Sequence, residues 1–144
     1  MRIRISNSPI TVETTVNAPA ESVWTAWNTP EDIKQWNAAS DDWHTTASEV
    51  DLREGGRFSS RMESKDGVHG FDFGGTYVAI DPGKRLHYAI DDGRHVHVDF
   101  IDNGDGSVTV RERFDAEGTH TREQQQEGWQ AILDNFKRHV EAKA

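Results

Sequence analysis

The chain contains no cysteine. That excludes a disulfide scaffold, a thiol nucleophile and cysteine-ligated zinc, and it suits a reducing, cytoplasmic setting. Positive charge is also scarce: 16 Lys and Arg stand against 25 Asp and Glu, a formal charge of -9. Nucleic acid and anionic membrane both call for the opposite sign, so neither is expected as a partner. No apolar run approaches the ~18 residues of a membrane span, and Met1 to Arg4 opens no signal-peptide stretch. Apolar residues make up only 34% of the chain, yet Trp occurs 5 times, at Trp24, Trp27, Trp36, Trp43 and Trp129. The 144 residues fit a single domain over 1–144, large enough to fold without cross-links. Few apolar residues, several of them very large, predict a modest core with an unfilled space.

Alternation at Ile10, Val12 and Val16 predicts a first strand, with Pro9 before it and Ile3 and Ile5 as a weaker edge extension. Asn17-Ala18-Pro19 stops it and opens a helix carrying Ala20, Val23, Trp24 and Trp27 on one face. Thr29-Pro30-Glu31-Asp32 starts a second short helix in the same way. From 44 to 115 the pattern is strand after strand. These cover Thr45 to Asp51, Arg57 to Met62, Gly75 to Ile80, Leu86 to Ile90, Val96 to Phe100 and Val108 to Phe114. Asp91-Asp92-Gly93 reads as a three-residue hairpin loop with Gly93 in the left-handed position. From about Thr121 to Ala142 the period changes, and Trp129, Ile132, Leu133, Phe136 and Val140 form one stripe of a long helix. Strand, two short helices, a run of antiparallel strands and a long helix predict an α+β fold with helices segregated to one side of the sheet.

Local phrases add to this order. They include Ala18-Pro19-Ala20-Glu21-Ser22-Val23-Trp24-Thr25-Ala26-Trp27, Pro30-Glu31-Asp32-Ile33-Lys34-Gln35-Trp36 and Asp51-Leu52-Arg53-Glu54-Gly55-Gly56-Arg57-Phe58. Gly74 to Tyr77, Asp81-Pro82-Gly83-Lys84-Arg85-Leu86 and Gly128-Trp129 continue the series. In sequence and order they resemble the bacterial family named after the activator of heat-shock protein 90 ATPase, within the START-like (SRPBCC) superfamily. The resemblance implies a helix-grip fold: a curved antiparallel sheet of about six to seven strands around a long C-terminal helix, enclosing a cavity. It does not specify function, because that superfamily includes ligand carriers, hormone receptors and cyclases. The eukaryotic activator carries a separate N-terminal chaperone-binding domain, for which this sequence leaves no room.

The inward face of such a sheet would present Phe58, Met62, Tyr88, Val98, Phe100 and Val110, closed on the other side by Trp129 and Leu133. Polar residues on the same face distinguish a binding cavity from a dry core, which does not tolerate unpaired polar groups. Glu112 shares a face with Val108, Val110 and Phe114, and Ser60 lies between Phe58 and Met62. Arg122, Gln125 and Gln126 precede Trp129 on the final helix and are expected to line one end. A buried Glu112 must pair, with Arg122 the candidate, or take up a proton. Phe71 and Phe73, between glycines in 67–75, read as rim loop aromatics beside the acidic loop Asp41 to His44. Trp24, Trp27 and Trp36 read as packing for the short helices. His87, His95 and His97 alternate to the outer face near Asp99, where no shaped cavity supports a metal, so none is assigned.

The sequence thus predicts a module that binds a small apolar, aromatic or lipid-like molecule between sheet and final helix, with no cofactor. Glu112 and Gln125 are its polar anchors. The alternative is an enzyme using Glu112 as acid or base for proton transfer, dehydration or cyclisation, against which stands the lack of an inward His. A chaperone-stimulating role is a third reading, suggested by the family name alone. A monomer or weak homodimer is expected, pairing through the edge near residues 2 to 8.

Overall fold

The computed structural model describes residues 9–143. Ile3, Ile5 and the pairing edge at 2 to 8 fall outside the described residues. The elements run β1 (Ile10–Val16), α1 (Ala20–Asn28), α2 (Pro30–Trp36), β2 (Trp43–Val50), β3 (Arg57–Ser64) and β4 (Gly70–Asp81). They continue with β5 (Arg85–Ile90), β6 (His95–Asp102), β7 (Val108–Phe114) and α3 (Arg122–Lys143). A 7-stranded antiparallel sheet in the order β1-β7-β6-β5-β4-β3-β2 results, and α1 and α2 carry the chain from one edge to the other. Strands β2 to β7 form a meander because each is joined to the next by a short turn. At Asp91-Asp92-Gly93, Gly93 takes φ 93 and its N–H bonds the Ile90 carbonyl at 2.8 Å, as the loop length requires.

Strand β4 is longer than the alternation predicts. The stretch 70–75 is strand, with Phe71 opposite Met62, Phe73 opposite Ser60 and Gly75 opposite Phe58. Phe71 and Phe73 therefore stand on a paired strand and not on a rim loop. Gly75 in this stretch serves close packing: a Cβ there would lie 2.4 Å from the Ala89 carbonyl oxygen and 2.9 Å from the Phe58 ring. Bulges between Thr45 and Ala47 and between Tyr77 and Ala79 bend β2 and β4, which helps the sheet curl.

Helix α3 opens with a reciprocal cap. Thr121 Oγ1 accepts from the Gln124 N–H at 3.0 Å while Gln124 Oε1 accepts from the Thr121 N–H at 2.9 Å. The helix then lies along the sheet edge. Side chains of Arg122, Gln126 and Gln130 donate to the carbonyls of Pro9, Thr11 and Glu13 at 3.4, 3.5 and 3.1 Å. Four helical residues rise about 6 Å and two strand residues about 6.6 Å, so the two series stay in step. Lys137 adds a bond to the Thr15 carbonyl. The open edge of β1 is thereby covered.

At the far end, Asp32 of α2 is buried and accepts from His139 Nε2 at 2.8 Å and Lys143 Nζ at 2.6 Å, tying α2 to α3. Aromatics fill the space between: Trp27 and Trp36 each make a T-shaped contact with Phe136, at 4.9 and 5.0 Å. The Trp36 indole N–H reaches the Ala26 carbonyl at 3.0 Å. No helix among the described residues is long and apolar enough to cross a membrane.

Candidate ligand cavity

Helix α3 packs chiefly on β1 and the two short helices, α1 reaches β6 and α2 lies on β2, so that β3 to β5 have no helix packed closely on them. The interior consequently divides in two. Under β1, β6 and β7 it is filled: Val98 and Val110 are fully buried, Phe100 meets Trp24 and Trp27, and Leu133 and Phe136 close over them. Under β2 to β5 a cavity of about 610 Å³ remains. Its walls are Phe58, Ser60 and Met62 from β3, Phe71, Phe73 and Tyr77 from β4, and Leu86 and Tyr88 from β5. Glu112 of β7 and Gln125, Trp129 and Ile132 of α3 complete it, with Ile33 and Trp36 at the α2 end.

Of the residues expected to form the site, the structure gathers Phe58, Ser60, Met62, Phe71, Phe73, Tyr88, Glu112, Gln125 and Trp129 around this space. Six lie elsewhere. Val98, Phe100, Val110 and Leu133 belong to the filled half, because α3 packs over β1 and α1 over β6 on that side of the sheet. Arg122 and Gln126 are exposed and bond the carbonyls of Pro9, just before β1, and Thr11 in it. Periodicity correctly puts Val98, Phe100 and Val110 on the inner face, but it carries no information about where along that face the helix sits. Ser48, Tyr77 and Trp36 line the cavity without having been singled out for it. Trp36 reads as helix packing, which it is, and its exposure to the cavity depends on tertiary placement.

Glu112 is the distinctive group. It is 5% exposed, lies opposite Val12 on one neighbour and Val98 on the other, and has no hydrogen-bond or ion-pair partner among the described residues. Burial alone pushes its carboxyl up to about 8. The pairing with Arg122 considered from sequence does not form, because that guanidinium faces the Pro9 carbonyl. Tyr88 stands close enough to feel the charge: its phenol is raised well above its ordinary value first by burial and then by Glu112. Ser48 adds a buried hydroxyl with no partner.

Gln125 lines the cavity, but its amide is engaged. Oε1 accepts from the Glu117 N–H at 2.8 Å, and Nε2 donates to the Glu117 and His120 carbonyls at 3.1 and 2.9 Å. It pins the loop between β7 and α3 and has little hydrogen-bonding capacity left for a guest. At the opposite end Phe71 is 49% exposed and its ring lies 5.8 Å from that of Trp43. On the outer face, His87 pairs with His97 as expected, their rings stacked at 4.0 Å, and His87 Nε2 lies 2.9 Å from His95 Nδ1. Burial and then the neighbouring imidazoles lower His87. Among the described residues no group of three or more His, Asp or Glu side chains is arranged to hold a metal ion.

A curled antiparallel sheet gripping a long C-terminal helix beside a hollow is the helix-grip, START-like domain. Residues 17–141 match the family described as Activator of Hsp90 ATPase homolog 1-like protein, and the chain belongs to that family. The solution structure of an AHSA1-like protein from Aeromonas hydrophila is 51% identical, covers 93% of this chain and 94% of its own, and superposes with a TM-score of 0.85. Chr148 from Cytophaga hutchinsonii is 46% identical over 96% of this chain and 94% of its own, with a TM-score of 0.81. At 22% identity, CV1439 from Chromobacterium violaceum shares the fold with a TM-score of 0.83 over 94% of this chain and 99% of its own. No curated protein matches the chain.

Proposed function

We propose that the protein is a small-molecule binding module that takes a largely apolar guest into the space between β2–β5 and α3. The supporting observation is an unpartnered, buried carboxylic acid facing a cavity of about 610 Å³ walled mainly by aromatic and aliphatic side chains. A packed interior would exclude such a group, whereas binding cavities typically combine apolar walls with a few convergent polar atoms. Affinity would come chiefly from apolar area removed from water, about 25 cal/mol per Å² before ordering costs. The test is a ¹H–¹⁵N and ¹³C-methyl titration of the protein with a panel of lipids, flavonoids and polyketide-like aromatics. Shifts confined to Met62, Phe73, Gly128, Trp129 and Ile132 support the reading, and a panel that moves none of them overturns it.

A second reading has one observation in its favour: an acid at about 8 beside a buried phenol is a competent proton donor at neutral pH. Glu112→Gln separates the two. A carrier retains binding with altered affinity, and an enzyme loses turnover while retaining binding.

A further inference from the structure

We infer that the guest carries a protonated amine on an apolar body, seated against the Glu112 carboxylate and beside the aromatic rings of Tyr88 and Trp129. The inference rests on the cavity being a binding site and specifies the class of molecule it takes.

The charges around the cavity support this in three ways. First, the lining holds three acids, Glu49, Glu112 and Glu117, and two basic groups, Arg94 and His120. Both basic groups are engaged: Arg94 Nε bonds Asp92 at 2.8 Å, and the His120 imidazole lies 3.2 Å from Glu117. A carboxylate or phosphate guest would find no unpaired cation in the lining and a buried acid facing it. Second, a neutral guest needing only a hydrogen bond could be served by Ser60, Tyr77 or Tyr88, which line the same space. A carboxyl group among Val12, Val98 and apolar walls adds something those hydroxyls lack, the capacity to become a full counter-charge. Third, aromatic rings line the same space as Glu112. Phe58 meets Tyr88 edge-on at 4.8 Å, and Trp129 stacks on Phe114, two residues beyond Glu112 on the same face. Rings of this kind stabilise an ammonium desolvated among them. The chain's formal charge of -9 favours the approach of a cation.

Protons balance as follows. In the empty protein near pH 7 Glu112 holds its proton, since burial places its titration at about 8 and no neighbouring charge opposes this. The other titratable groups facing the cavity are Tyr77, Tyr88, Glu49, Glu117, His120 and Arg94. When an ammonium enters, Glu112 ionises to meet it and its proton passes to the buffer, while the amine keeps its own.

The experiment is calorimetry at pH 7 in two buffers of different ionisation enthalpy, using 4-phenylbutylamine and its neutral counterpart 4-phenyl-1-butanol as probes. The amine is expected to bind roughly tenfold or more tighter than the alcohol and to release close to one proton, the alcohol releasing none. In Glu112→Gln the amine loses its advantage over the alcohol and its proton release vanishes. Equal affinities with no proton release in the wild-type protein would overturn the amine inference and leave the cavity reading standing. Failure of both probes to bind would remove the cavity reading, and this inference with it. The proton count in the wild-type protein makes the test independent of how the variant folds.

Discussion

The indole of Trp129 lies face to face on the ring of Phe114, with centroids 3.8 Å apart and planes 9° from parallel. Because Phe114 shares its strand face with Glu112, this stack forms the wall next to the buried acid. Trp129 also meets Phe73 in a T-shaped contact at 6.5 Å and so spans between helix and sheet. Trp129→Ala should destabilise the fold by about 3 kcal/mol, the low end for aromatic truncation because Trp129 is only partly buried. Urea denaturation measures this.

Glu112 should make the protein less stable as pH rises through neutrality. Its folded value of about 8 lies above its ordinary 4.5, so the folded state retains a proton that the unfolded chain gives up. The penalty is absent below the ordinary value and grows by about 1.4 kcal/mol per pH unit until the folded value is reached, then stays constant. Glu112→Gln lacks this titration. Its stability relative to wild type should therefore climb between about pH 5 and pH 8. Parallel stability curves would contradict the burial of the acid.

Asp32 has the opposite sign. Burial pushes it up, but hydrogen bonds from Lys143 and His139 outweigh that and hold it below its ordinary 3.8. A lowered carboxylate contributes stability that is complete above its unfolded value and is lost as pH falls through the folded one. Asp32→Asn should cost about 1–3 kcal/mol at pH 7, and the gap should close below about pH 4. Thermal melts of both proteins across that range test it.

Gln125→Ala would leave the Glu117 N–H and the Glu117 and His120 carbonyls without their present partner. The expected cost is about 1–3 kcal/mol. Hydrogen exchange should quicken at Glu117 while the middle of α3 stays protected, because Leu133, Phe136 and Val140 hold the helix independently of this loop.

A methyl group at Gly75 has nowhere to go. Its nearest neighbour, the Ala89 carbonyl oxygen at 2.4 Å, is backbone and cannot swing aside. Gly75→Ala should cost about 1–3 kcal/mol through overpacking, read by urea denaturation, and should move the Phe58 and Tyr88 resonances. An unchanged spectrum would contradict the close packing of β4 on β5 at this point.

Much of the fold is legible in the sequence because period and punctuation agree. The alternation of Val96, Val98 and Phe100 and the left-handed Gly93 set both strand face and register, down to His87 opposite His97. What periodicity does not carry is the position of one layer over another. Arg122 and Gln126 lie on the same helix as Trp129, yet they serve the β1 edge because α3 runs along it. Gln125 reads as a polar anchor from sequence, since nothing local reveals that the loop after β7 folds back onto its amide. Phe71 and Phe73 read as loop because glycine signals flexibility, while here it also permits close strand packing. Glu112 is legible for a simple reason: a charge at an inward position of an alternating strand conflicts with its surroundings unless it has a use.

Xenon under pressure, followed by ¹³C-methyl spectra, tests most directly whether the middle of this molecule is hollow. The gas should shift the methyls of Met62, Ile33, Leu86 and Ile132 around the cavity and leave those of Val16, Val110 and Val140 in the filled half unmoved. Equal small shifts across both sets, or none at the cavity methyls, would contradict an open interior beside α3.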